Sequence, residues 1–214
     1  MNDPSSQSLP GFPKQDLPKQ NLPKQNLEDW LASRLLPLPP AGVAIATLAP
    51  RLRPASVLVP IVARADAPTV LLTVRSKTLS KHAGQIAFPG GQVDPGDADV
   101  VATALRETWE ETGITREFIT PVGTLEPVES ITGFLMFPIV AVVDERFTAT
   151  PSPSEVASIF EVPLAFVTDA TNQIRKSGTF AGRARDYYSI PYDAYDIWGA
   201  TARILVDLGR RLWG

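Results

Sequence analysis

Residues 90–114 read GGQVDPGDADVVATALRETWEETGI. Val101, Ala104, Leu105 and Thr108 recur three and four apart, so they form one stripe of a helix that can face a sheet. The helix is predicted over Asp97 to Thr112, with Asp97 or Asp99 as cap and Gly113 as terminator. At about 100° per residue, Glu107, Glu110 and Glu111 lie mostly away from the stripe and fan over roughly a third of the circumference. Three like charges within one turn repel, and the negative end of the helix dipole disfavours them further. Arg106, four before Glu110, relieves part of this. A solvated acidic face and a cation site are both open at this point. Magnesium suits the second, because it prefers a few carboxylates plus water and substrate phosphates over an all-protein cage. Gly90 and Gly91 permit close approach of backbone to a ligand or metal, although taken alone they are an ordinary turn.

Working outward, SVLVPIVARA (56–65) and TVLLTVRS (69–76) are rich in β-branched and apolar residues and read as paired strands. QIAFPGG (85–91) reads as a short strand ending in a glycine turn. FITPVGTLEPV (118–128), FLMFPIVAVV (134–143) and YYSIPY (187–192) read as further strands. SEVASIFEVPLAFV (154–167) suggests a loop, a strand and a short helix. Short helical spacing also marks LEDWLASRLL (27–36), which LPLPPAG breaks. The segment IWGATARILVDLGRRLW (197–213) is amphipathic, with Ile197, Thr201, Ile204, Leu205 and Leu208 on one face. Helices and strands interleave, so the expected class is α/β or α+β with a mixed sheet. FPKQD, LPKQN and LPKQN follow one another over 12–26, and proline at that spacing opposes helix. Residues 1–26 are therefore expected to form a disordered or extended tail, with partner binding as the alternative; 27–214 form the folded domain.

The composition narrows the chemistry. The chain has 214 residues, no cysteine, one histidine (His82) and a formal net charge of -3. Thiolate nucleophiles and Cys-bound zinc are excluded, so a metal here is held mainly by oxygen, which points to magnesium or manganese. The absence of a basic excess argues against nucleic-acid partners. With no signal-like start and no apolar run approaching about 18 residues, the expected setting is cytoplasmic, with no membrane contact.

The run RETWEETGI (106–114) resembles the core of the Nudix box, Arg-Glu-U-x-Glu-Glu-x-Gly-U, where U is a bulky apolar residue; Thr108 is a weak match at the first U. Upstream, LLTVRSKTLSKHAGQIAFPGG (71–91) is similar to the additional signature of the coenzyme A pyrophosphatase branch. Leu71, Leu72, Thr73, Arg75, Ser76, Gly84, Phe88, Pro89, Gly90 and Gly91 match, while Ser80 stands where a basic residue is usual. Asp97 stands six after Gly91 and eight residues precede Arg106, one more than in the general box; the branch shares this longer spacing. The extra residue is expected in the loop VDPGDAD, leaving the Arg106–Glu111 geometry intact.

The resemblance implies a Nudix-type mixed sheet sandwiched between helices. It implies metal-dependent hydrolysis of the diphosphate of coenzyme A to 3′,5′-adenosine diphosphate and 4′-phosphopantetheine. The residues expected to carry this are Glu107, Glu110 and Glu111 with the Gly91 carbonyl as metal ligands, and Arg106 as organiser of the carboxylates. The base would come from the box helix, as Glu110, or from a later loop, where Glu155 ranks ahead of Glu161. Arg75, Ser76, Lys81 and His82 are candidate substrate contacts; Arg75 could equally end a strand beside a carboxylate, and His82 could be a loop residue. Trp109 is expected to be exposed or half-buried on the helix, with packing favoured over base stacking. The alternatives are hydrolysis of another nucleoside diphosphate derivative, such as NADH or ADP-ribose, and a non-catalytic nucleotide-binding module. The oligomeric state, a homodimer included, is open.

Overall fold

The computed structural model describes residues 26–40, 52–79, 82–180 and 182–214. The expected tail, apart from Asn26, and Lys81 lie outside the described residues.

The molecule is a mixed α+β fold built on β1 (Arg53–Val62) and β7 (Phe134–Val143), which run parallel in register from Arg53↔Phe134 to Val62↔Val143. The other edge of β1 is shared. Ile61 and Val62 pair with β2 (Thr69–Arg75), whereas Ala55, Ser56 and Val57 pair with β4 (Gly90–Gln92). β3 (Ile86–Ala87) and β8 (Val156–Pro163) pair with β2; β5 (Ile119–Thr124) and β6 (Val128–Glu129) pair with β7.

Side chains of β1 and β7 alternate between two cores, as strand geometry requires. Leu58, Val62, Phe137, Ile139 and Val143 meet Val100, Ala104 and Leu105 of helix α2 (Val100–Thr112) on one face. Val59, Ile61, Val140 and Val142 face the opposite core. That core is closed by α1 (Leu27–Ala32), α3 (Leu164–Thr168) and α4 (Gly199–Trp213). With both faces covered, these strands are nearly continuous apolar runs, which is how they read in the sequence.

Some expectations change. α1 stops at Ala32 instead of reaching residue 36, because Leu36 leaves the helix and exchanges backbone hydrogen bonds with Thr124 (3.0 and 2.9 Å). QIAFPGG is two strands, β3 and β4, and both glycines lie within the second. A side chain at Gly90 would overlap the Ser56 carbonyl and Val57 backbone, so only glycine allows β4 this close to β1. A three-stranded meander, β9 (Ile174–Phe180), β10 (Arg183–Tyr192) and β11 (Tyr195–Trp198), replaces the single strand expected at YYSIPY. Ile197 belongs to β11, while Thr201, Ile204, Leu205 and Leu208 are the buried stripe of α4.

Candidate active site

Helix α2 starts where its capping chemistry sets it. Asp99, in an extended conformation, accepts the Ala102 N–H at 2.8 Å, and Gly113 ends the helix in the left-handed region at φ 71°. Asp97 is therefore outside the helix and has another task. Its two oxygens accept from Nε and Nη2 of Arg106, each at 2.9 Å, and Thr103 donates to it at 2.9 Å. These bonds, those from Arg106 first, hold the Asp97 carboxyl down to about 2. The same guanidinium donates through Nη1 to Glu107 and to Glu110, each at 2.9 Å, and through Nη2 to the Gln92 carbonyl at 3.2 Å. Arg106 thus ties β4, the loop 93–99 and two box glutamates together.

The three glutamates do not share one solvated face. Glu110 points outward, with its side chain 43% exposed; that of Glu107 is 14% exposed and that of Glu111 only 2%. This corrects the expectation that all three lie away from the packed stripe. Glu111 lies in the seam between α2 and β4, where the Gly90 N–H donates to it at 3.3 Å and Arg75 Nη1 stands 3.5 Å away. Burial pushes the Glu111 carboxyl up to about 7. Arg75 and the Gly90 N–H oppose the rise, and the charges of Glu107 and Glu155 add to it. Burial also raises Glu107, Arg106 opposes this, and the charges of Glu110 and Glu155 add to the rise. Gly91 lies directly against Glu107: a Cβ there would overlap the Glu107 carboxylate.

Glu155 is brought to the same place by backbone alone. Ser152 N–H donates to the Glu111 carbonyl at 3.0 Å, Glu155 N–H to Ser152 at 2.9 Å, and Ser76 N–H to the Glu155 carbonyl at 2.7 Å. The loop is hooked to the end of α2 on one side and to the end of β2 on the other. Glu161 is elsewhere. It is buried, neutralised by Arg64 at 2.6 Å, and accepts a hydrogen bond from the Thr69 hydroxyl at 2.5 Å.

The upstream candidates separate too. Arg75 faces the carboxylates, and its buried Nε has no hydrogen-bond partner among the described residues. Ser76 is buried and bonds to the Thr78 hydroxyl at 2.8 Å, so it shapes the turn after β2. His82, at φ 58°, shares a hydrogen bond of 2.8 Å with the Gln85 side chain. Trp109 is 57% exposed on α2, as expected of its place on the helix. A cleft of about 880 Å³ opens beside β4. Arg75, His82, Gly90 and Gly91 line it together with residues of the β6–β7 turn, β10, β11 and the start of α4. A smaller cavity of about 480 Å³ lies at the far end of α4, remote from the box glutamates, bordered by Thr168 and Arg210.

Among the described residues, no three acidic or histidine side chains converge closely enough to cage a metal ion by themselves. The donor set nevertheless suits a hard cation. Glu107 and Glu111 offer oxygen, both are made reluctant to ionise by burial and by neighbouring carboxylates, and a cation completed by water and phosphate would relieve both.

The Asp97–Arg106–Glu107 network and the buried Glu111 were only partly visible beforehand. Asp97 appeared as a possible cap, although its place six residues after Gly91 was the available signal. Nothing local to Glu111 announces that Gly90 and Arg75 enclose it.

Comparison with known proteins places this geometry in a family. The NUDIX domain model matches residues 52–179. An uncharacterized Nudix hydrolase NudL of Citrobacter koseri is 42% identical over 163 residues, covering 75% of this chain and 83% of the relative. Its counterpart in Photorhabdus laumondii is 39% identical over 186 residues, covering 87% of this chain and 97% of the relative. Among solved structures, an Ap4A hydrolase of C. elegans aligns at TM-score 0.45 and 26% identity, covering 51% of this chain and 80% of that one. With the family match spanning the eight-stranded sheet and relatives of about 40% identity covering most of the chain, the chain belongs to the Nudix hydrolase family.

Proposed function

We propose that the protein hydrolyses the diphosphate linkage of coenzyme A or its derivatives, with magnesium or manganese, to 3′,5′-adenosine diphosphate and 4′-phosphopantetheine. The observation that carries this reading is the course of residues 71–91. The stretch that resembles the coenzyme A pyrophosphatase signature forms β2, β3 and β4, borders the cleft, and delivers Arg75 to Glu111.

Glu107 and Glu111, with the Gly91 carbonyl, are assigned to hold the divalent cation, and Glu110 to complete its acidic surroundings. When bound, the cation neutralises the diphosphate and lowers the pKa of a water beside phosphorus. Arg106, anchored by Asp97, positions Glu107 and Glu110; it has no spare role as a base, since its own pKa is raised by these carboxylates. Glu155 is assigned to take the proton as the water oxygen bonds to phosphorus and the bridging P–O bond breaks. The departing phosphate leaves with the electron pair. Arg75 and His82, which line the cleft, are assigned to contact the diphosphate. Ser76 is assigned to the turn that holds Arg75. Lys81 stays a proposed substrate contact, on the strength of the signature alone.

The test is product release from coenzyme A, an acyl derivative, NADH and ADP-ribose, each with magnesium or manganese. The expected outcome is the highest kcat/KM on a coenzyme A form. Faster turnover of NADH or ADP-ribose would overturn the substrate, while leaving the diphosphatase chemistry in place.

A further inference from the structure

The family match ends at residue 179, yet the cleft does not. Its far wall comes from β10, β11 and the start of α4, through Arg185, Asp186, Tyr187, Trp198 and Arg203. At about 880 Å³ the cleft lies in the upper part of the roughly 300–1,000 Å³ range of small-molecule sites, so it can receive much more than a diphosphate.

The charges along that cleft are mostly matched. Arg75 faces Glu111 at 3.5 Å, and Arg203 is held by Asp207 at 2.7 Å. Asp186 accepts from Arg175 at 2.5 Å and from Ser177 at 2.6 Å; Glu126 pairs with Arg211 at 3.4 Å. Glu129, on β6 across the cleft, makes no ion pair with a described residue. Arg185 is the cleft arginine that no described carboxylate neutralises. It is exposed, and it shares a face of β10 with Tyr187, whose ring meets Trp198 edge-on at a centroid distance of 6.0 Å. A guanidinium beside an aromatic pair, at a remove from the metal-binding carboxylates, is suited to a planar base that carries an anion.

We infer that Arg185 is a specificity-determining residue that binds a phosphate monoester carried by the substrate outside its diphosphate. The inference rests on the proposed function for the identity of that group, which in coenzyme A is the ribose 3′-phosphate. An exposed charge-assisted contact of this kind is worth about tenfold in affinity, and it weakens as salt screens it.

The experiment compares coenzyme A with 3′-dephospho-coenzyme A on the wild type, Arg185→Ala and Arg185→Lys. The wild type is expected to favour the phosphorylated substrate about tenfold in kcat/KM, mainly through KM, and less so at high salt. In Arg185→Ala the ratio should fall to near one, and Arg185→Lys should restore part of it. An unchanged ratio in Arg185→Ala, or equal losses on both substrates, overturns the assignment. If the wild type cleaves neither coenzyme A form, the proposed substrate is wrong. NADPH against NADH then tests Arg185 independently: a phosphate preference that depends on Arg185 supports the inference, and its absence overturns it.

Discussion

Glu111 carries a conflict between stability and chemistry. In the folded chain its carboxyl is pushed from the ordinary 4.5 to about 7. Between those values the folded state holds the extra proton, so this group lowers stability as pH rises from about 4.5 to about 7. Above that window the metal-free protein keeps a buried charge that Arg75 at 3.5 Å and the Gly90 N–H offset in part. Glu111→Gln should therefore raise the melting temperature of the metal-free protein at pH 8, measured by calorimetry in chelator. The same change should reduce turnover at least about 100-fold, as removing an electrostatic group from a reacting centre does. A variant that is both no more stable and nearly fully active would remove Glu111 from the assigned role. The identities of the acidic residues were legible in the motif. Their inequality was not, because the burial of Glu111 depends on Gly90 and Arg75, which are 21 and 36 residues away in the chain.

At the scale of elements, α2 was the most legible part of the chain, since its stripe, cap and terminator are local signals. Two aspartates competed for the cap, and the structure separates their work. Asp99→Ala should cost about 1 kcal/mol of stability, seen in urea unfolding, with the Arg106 network intact. Asp97→Asn should instead impair catalysis by releasing Arg106. Its stability deficit should also depend on pH. Asp97 titrates at about 2 when folded and at 3.8 ordinarily, so its contribution is full above 3.8 and is lost as pH falls through about 2. Unfolding series at several pH values should show the wild type and Asp97→Asn converging toward pH 2. The meander was less legible for the opposite reason. β9 reads IRKSGTF, a strand of mostly exposed polar residues whose pairing with β10 supplies the order that its composition does not announce.

Over the whole molecule, the two cores serve different ends. The core under α2 supports the box helix, while the other binds α1, α3, α4 and the meander to the sheet. Leu208 is fully buried in the latter and does not line the cleft. Leu208→Ala should lose about 2–5 kcal/mol in chemical unfolding while retaining most of kcat at low temperature. A large loss of kcat in a still-folded variant would show that the cores are coupled. The sheet's covered faces were legible as continuous apolar runs in 56–65 and 134–143. The second wall of the cleft was not, because β10, β11 and α4 meet the β6–β7 turn some 50 to 70 residues before them, and the two share no local pattern.

The divided edge of β1 has a consequence for how such a chain can change over time. One end of β1 pairs with β2 and the other with β4, while β3, inside the 14 residues between Arg75 and Gly90, pairs back onto β2 at Thr73 and Val74. Length and sequence ahead of β3 can be rewritten without slipping these registers. The ladders protect the placement of Arg75 and Gly90 while that stretch explores new cargo. Substrate range is thereby an editable clause in a sentence whose grammar is fixed elsewhere.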